Sequence, residues 1–312
     1  MARPDLLALR ALKLGDLLVV VPALRALRRA FPEHRIRYGA QAWLAPIVDL
    51  VGGIELLDVR GLDAPLPLPP GSVDVAVNLH GRGPQSMRAL DQLQPRRRIG
   101  HRFDDPEGRS WEGPHWVDAL SERERWTRML EWHGIPADPS DLHLERPSVA
   151  SARAGAVIVH PGAAFGSRRW PIDRFAAVAA ALVRAGHEVV LTGSADERDR
   201  ALAVAEAAGV RGDDVLAGRI DLTAMAALVA DAAAVVSADT GAAHLASAYR
   251  RPSVVLFGPA SVVNWGPPPG PHVVLTDESV RRGDVFSDEP DPALLAVQVE
   301  DVLGALAGLG VL

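Results

Sequence analysis

The sequence predicts an α/β protein made of two doubly wound, Rossmann-like domains. Three observations predict it. The chain has 312 residues, more than a single core of ordinary size supports. Short apolar runs alternate with longer stretches of helical periodicity, the pattern of a parallel sheet covered by helices. The alternation stops once, at Gly134-Ile135-Pro136-Ala137-Asp138-Pro139-Ser140 and Arg146-Pro147-Ser148, where closely spaced prolines and small polar residues mark a linker.

In the first half, strands are expected over residues 6–11, 35–39, 56–59 and 73–79, and helices over 16–30, 43–50, 85–93 and 116–133. The boundary falls within 136–154, giving domains over 1–145 and 146–312. The pattern then restarts, with strands over 156–159, 188–191, 233–237 and 253–257. Helices are expected over 174–185, 196–208, 222–230 and 242–249, and a last one over 292–306 that crosses back to the first domain. Two such units suit a ligand held at the carboxyl ends of the strands, in a cleft that the domains face.

Composition removes several function classes. Hydrophobic residues make up 48% and charged residues 23% of the chain, as in a globular protein. No run of eighteen apolar residues provides a spanning helix, and the first residues lack the pattern of a signal peptide. Cysteine is absent, which removes disulfides and thiolate metal sites and fits a cytoplasmic location. A net charge of −6 argues against nucleic acid as partner. Lys13 is the only lysine and lies in Ala-Leu-Lys-Leu, so a phosphate loop of the Gly-Lys-Ser/Thr type is excluded. Gly81-Arg82-Gly83 lacks a third glycine, which argues against a nicotinamide cofactor. No His-Glu-x-x-His or His/Cys cluster suggests a metal, and the acidic pairs Asp104-Asp105 and Asp213-Asp214 follow no apolar strand.

Three strand ends carry chemistry. Leu14-Gly15-Asp16 follows the first strand; Asp16 is either a cap of the next helix or a general base at the strand mouth. His160-Pro161-Gly162-Ala163-Ala164 ends a strand in small residues that let a ligand approach the backbone. Arg168-Arg169-Trp170-Pro171 follows, with guanidinium groups beside a helix start, which suits a pyrophosphate or is simply a solvated basic turn. Asp239-Thr240-Gly241-Ala242-Ala243-His244 joins a buried strand to a helix. Its first amides and the Thr240 hydroxyl can meet an anion, while Asp239 can equally be a cap and His244 an ordinary helix histidine. The Asp-Thr-Gly triplet of aspartic proteases occurs in all-β chains and in pairs, unlike here.

These segments, with Pro22-Ala23-Leu24 and Val75-Ala76-Val77-Asn78-Leu79-His80-Gly81, resemble the heptosyltransferases of glycosyltransferase family 9 in order and spacing over nearly the whole chain. The resemblance implies a GT-B fold, with the acceptor bound by the first domain and the donor by the second. It implies inverting transfer of heptose from ADP-heptose to a sugar hydroxyl of a glycan. Asp16 matches the general base. Asp239, Thr240, Gly241 and His244 match contacts to donor phosphate and sugar, joined by His160, Gly162 and Ala163. Arg168 stands where the family carries lysine; guanidinium keeps the charge and changes the geometry. Adenine and ribose are expected near Ile220 and the 193–197 segment, with Asp196 or Glu197 as the ribose acid.

On the acceptor side the resemblance points to Asn78, which stands where the family often has aspartate, and to His80. Arg60, Arg98 and Arg102 are candidates for an acidic sugar, or solvated charges. It implies no cofactor beyond the ADP-sugar co-substrate, no dedicated site for an assisting divalent cation, and a monomer touching the inner membrane face peripherally. Two rivals remain: a GT-B enzyme using another nucleotide sugar, and a non-catalytic nucleotide-sugar binder.

Overall fold

The computed structural model describes residues 3–105, 108 and 110–312. The chain divides into two units, Met1–Glu145 and Arg146–Leu312.

In the first unit, β1 (Asp5–Leu9), β2 (Arg35–Ala40), β3 (Glu55–Asp58), β4 (Val73–Asn78) and β5 (Arg97–Ile99) form one parallel sheet in the order β3-β2-β1-β4-β5. Every residue of β1 is buried, which explains the apolar run Leu6–Leu9: a central parallel strand is covered on both faces. Helices α1 (Leu14–Ala30), α2 (Ala45–Val51), α3 (Pro84–Asp91) and α4 (Glu122–Trp132) connect and cover it, and β6 (Phe103–Asp104) pairs antiparallel with β7 (Ser110–Trp111). Leu7, Leu9, Val73, Met87, Leu90 and Trp111 share one core.

Helix α4 begins six residues later than its periodicity predicts. The Ser121 hydroxyl accepts the Glu124 amide at 3.2 Å and the Glu124 carboxylate accepts the Ser121 amide at 3.3 Å, a reciprocal cap that fixes the helix start at residue 122. Strand β5 was not expected: Arg97 and Arg98 are exposed and only Ile99 is buried, so an edge strand of this kind has no apolar alternation to reveal it.

The second unit holds β8 (Val157–His160), β9 (Val189–Leu191), β10 (Ala234–Ala238), β11 (Ser253–Leu256) and β12 (His272–Leu275), again parallel, in the order β12-β11-β10-β8-β9. Val215 bridges Leu191 in parallel beyond β9. Counting that segment, both sheets run outward from their first strand, reverse, and continue on its other side. The reversal lies between β1 and β4 in one unit and between β8 and β10 in the other, and such switch points are where doubly wound sheets bind ligands.

The helices are α5 (Ile172–Arg184), α6 (Arg198–Ala208), α7 (Leu222–Ala230), α8 (Gly241–Ala248), α9 (Val262–Trp265), α10 (Pro292–Ala296) and α11 (Val299–Gly308). The single closing helix expected over 292–306 is two. The Val297 carbonyl accepts Trp170 Nε1 at 3.1 Å and Arg174 Nη1 at 2.6 Å, and Val297 itself is extended. In α11, the helix expected to cross back, buried Val302 and Leu306 join the second unit's core with Phe175, Val178 and Leu256.

Candidate functional site

Asp16 sits in the first turn of α1, directly beyond β1. Its Oδ2 accepts the Lys13 amide at 3.2 Å, and its Oδ1 lies 2.8 Å from Arg10 Nη2. Capping and ion pairing thus occupy both oxygens, while the carboxylate keeps one fifth of its surface exposed. Arg10 is a hub the sequence analysis missed. Buried, it also donates to the Leu79 carbonyl at 2.6 Å and to Glu122 Oε2 at 3.0 Å, and its guanidinium lies over Trp126. Glu122 in turn accepts from Trp126 Nε1 and Arg125 Nε, each at 2.9 Å. One signal could have found Arg10: a single charge ending the fully buried run Leu6–Leu9. Nothing local could have found Glu122, 112 residues away.

Across the switch point, Asn78 ends β4. Its Nδ2 donates to the Gly81 carbonyl and its Oδ1 accepts the His80 amide, each at 3.0 Å, so its amide shapes the 78–81 turn. His80 follows with a buried Nδ1 that has no partner among the described residues. Burial, reinforced by Arg10 and opposed by Asp16, pushes its pKa down to about 4.

The structure does not gather the three candidate arginines. Arg60 follows β3 and Arg98 lies in β5, opposite edges of the sheet, roughly four strand spacings or about 19 Å apart. Arg60 lies 3.7 Å from Asp58, Arg98 2.6 Å from Asp91 and Arg102 3.0 Å from Asp104, so each serves a carboxylate of its own neighbourhood.

In the second unit the expected residues do converge. Arg168, in the short turn Gly166–Arg168, places Nη1 at 3.3 Å from both the Asp239 carbonyl oxygen and Asp239 Oδ2. His244 Nε2 lies 3.5 Å from Asp239 Oδ1. The buried Asp239 carboxylate is therefore flanked by two basic groups. Thr240 precedes α8, and its buried hydroxyl has no partner among the described residues; Arg168 Nε is in the same condition. Beside them, Gly241 and Ala242 carry first-turn amides, which lack partners within a helix. The second arginine of the pair turns away, with Arg169 Nε donating to the Ala163 carbonyl at 3.0 Å.

At the end of β8, His160 Nδ1 lies 2.9 Å from the Thr192 hydroxyl, and burial, opposed by Glu197, lowers its pKa. Gly162 gives room to the Glu197 carboxylate: a Cβ there would stand 2.3 Å from its carboxyl carbon. Glu197 accepts the Ser194 amide at 2.7 Å and packs against Gly193, whereas Asp196 is exposed. Of the two expected acids, Glu197 is the one at the strand ends. The Gly218 amide donates to the Gly193 carbonyl at 3.0 Å, which brings the chain leading to half-buried Ile220 beside that turn. Among the described residues, no cluster of three or more His, Cys, Asp or Glu is placed for a metal ion, and no helix is long and apolar enough to cross a membrane.

Two doubly wound units with polar residues collected at their switch points define a protein of the GT-B fold. The solved structure of ADP-heptose LPS heptosyltransferase II from Escherichia coli is similar, with a TM-score of 0.75 over 98% of either chain at 22% identity. The chain matches the sequence profile of glycosyltransferase family 9 (heptosyltransferase) over residues 130–278. It is 36% identical over 127 residues to lipopolysaccharide heptosyltransferase 2 of Escherichia coli, and 35% identical over 153 residues to lipopolysaccharide heptosyltransferase 1 of Pseudomonas aeruginosa. Those alignments take in 38% and 48% of this chain, and they span only 33% and 41% of the relatives' own lengths.

Proposed function

We propose that this protein is an inverting glycosyltransferase that moves heptose from ADP-heptose to a sugar hydroxyl of a glycan or glycoconjugate, in lipopolysaccharide assembly. The observation that carries the reading is the convergence of Arg168, Asp239, Thr240 and His244 at one strand end, with two buried polar atoms lacking protein partners. A pyrophosphate satisfies both: guanidinium and hydroxyl donate to its oxygens, and the first amides of α8 add the positive end of a helix. Glu197, beside Gly162 and Gly193, is the group for the ribose hydroxyls; Ile220 is the apolar contact for adenine.

In this mechanism Asp16, held by Arg10, takes the proton of the acceptor hydroxyl. The oxygen attacks the anomeric carbon, the bond to the pyrophosphate breaks, and ADP leaves with the electron pair. Arg168 and the Thr240 and Gly241 amides stabilise the charge that grows on it, usually the largest contribution in such sites. The second substrate is the nucleotide sugar itself, with no further cofactor. The enzyme works in the cytoplasm as a monomer that meets its acceptor peripherally at the inner membrane face.

The test is release of the matching nucleoside diphosphate from purified protein offered ADP-heptose, ADP-glucose, UDP-glucose and GDP-mannose with glycan acceptors. ADP-heptose is expected to turn over. Preference for another nucleotide sugar would replace the donor, and donor binding without turnover would make the protein a binder.

A further inference from the structure

The first unit has a recess of about 330 Å³, at the small end of the roughly 300–1,000 Å³ usual for small-molecule sites. It opens at the carboxyl ends of β1 and β4, beside the Arg10–Asp16 pair. Ala11, Leu12 and Leu62 give it apolar walls, His80, Gln85 and Ser86 polar ones, and Gly83 completes the lining. None of these side chains is a cation at neutral pH, because His80 titrates only near pH 4. Arg10, the nearest buried cation, already serves Asp16, Glu122 and the Leu79 carbonyl. The cations on the flanking segments are committed or exposed: Arg82 lies over Trp116 and 3.9 Å from Asp118, and Lys13 is exposed.

We infer that this recess receives a neutral glycosyl unit, its hydroxyls on His80, Gln85 and Ser86 and its C–H face against Leu12 and Leu62, and that it rejects acidic sugars. The physical reason is desolvation. A carboxylate or phosphate brought here gives up water with no cation among the lining side chains to replace it, next to the carboxylate of Asp16. A neutral hydroxyl meets what a neutral imidazole and an amide provide, since each carries both a donor and an acceptor. The unpartnered Nδ1 of His80 is one such group. This inference rests on the glycosyltransferase reading for its meaning, and on the recess alone for its chemistry.

Binding is measured on the full chain at pH 7 by saturation-transfer NMR and calorimetry, with matched alkyl hexosides and alkyl hexuronides of gluco, galacto and manno configuration. At least one hexoside should bind at least tenfold more tightly than its hexuronide. His80→Phe should weaken that hexoside at least fivefold and leave ADP affinity unchanged. Gln85 is exposed, so Gln85→Ala gives the same direction without risk to folding. Leu62→Arg, which adds a cation to the wall, should narrow or invert the preference. Tighter binding of hexuronides, or binding of no pair, overturns the inference. Hexoside binding without release of any nucleoside diphosphate in the turnover assay overturns the transferase reading and leaves the recess assignment standing. Turnover that favours acidic acceptors does the reverse.

Discussion

The two switch points use the same strand order for opposite electrostatic ends. At the first, a carboxylate is held: Asp16 is bound by an amide and by Arg10, and Arg10 is itself shared with Glu122. At the second, a carboxylate does the holding. Asp239 fixes Arg168 and His244, and donor groups beside it remain without partners. A doubly wound sheet offers both sites the same scaffold, strand ends facing helix starts. What sets the chemistry is which group arrives there already satisfied. At the first site the Asp16 carboxylate has an answering charge in Arg10; at the second, the Thr240 hydroxyl and Arg168 Nε are left for a ligand.

The sharpest way to break this contrast is Asp16→Asn. If the first site exists to hold one reactive carboxylate, turnover should fall about 10²- to 10⁴-fold, with unfolding midpoint and ADP affinity close to those of the parent. A near-normal rate of ADP release would reduce Asp16 to a helix-start residue.

The second site is tested by Arg168→Ala. A charge-assisted contact is worth about 1.5–3 kcal/mol, so ADP should bind roughly 10- to 150-fold more weakly. Adenosine, which carries no phosphate, should be unaffected. Arg168→Lys should recover much of the loss. Calorimetry with both ligands decides it; equal losses for the two would move Arg168 from the phosphate to packing.

Acid stability sharpens the account of the first unit. Burial lowers both His80 and His101 to about 4. A histidine depressed in the folded state binds fewer protons there than when unfolded, so its stabilisation is present above about pH 6.5 and lost as pH falls from there toward 4. For buried His101 the loss is about 2 kcal/mol by pH 5. Urea unfolding at pH 7 and pH 5 should show it, and His101→Phe should flatten the difference.

The smallest expected effect is that of Thr240→Val. Removing a hydroxyl without a protein partner should leave stability unchanged or slightly raised, while ADP loses one neutral hydrogen bond, about 0.5–1.5 kcal/mol, or roughly 2- to 12-fold. A destabilised variant with intact ADP binding would show that the hydroxyl serves the fold.

Much of this was legible in the sequence because it is local. The helix expected over 222–230 is α7 to the residue, and strands expected from apolar runs are present within about two residues at either end. His160 and Asp239 were legible as candidates because each stands at the end of a buried apolar strand. What escaped is set by distance or by the loss of pattern. Glu122 reaches the Asp16 site through Arg10, 112 residues before it, β5 shows only charges at its exposed positions, and the break at Val297 is made by Trp170 and Arg174 from far upstream. Arg60, Arg98 and Arg102, candidates for an acidic sugar or solvated charges, show the same limit: charge is visible in a sequence, but the carboxylate beside it is not.

Gly166 carries a consequence for anyone who shortens this chain. A Cβ there would stand 1.7 Å from the Asp288 carbonyl oxygen, so the turn that ends in Arg168 runs tight beneath the backbone near residue 288. The Ser167 amide and hydroxyl donate to the Ser287 and Val285 carbonyls at 2.8 and 2.9 Å, and the Asp291 amide returns a bond to the Ser167 carbonyl at 3.1 Å. These four points form a latch. A fragment cut to the span of the family profile, ending at residue 278, keeps every residue named for the donor and loses the clasp that fastens the arginine among them.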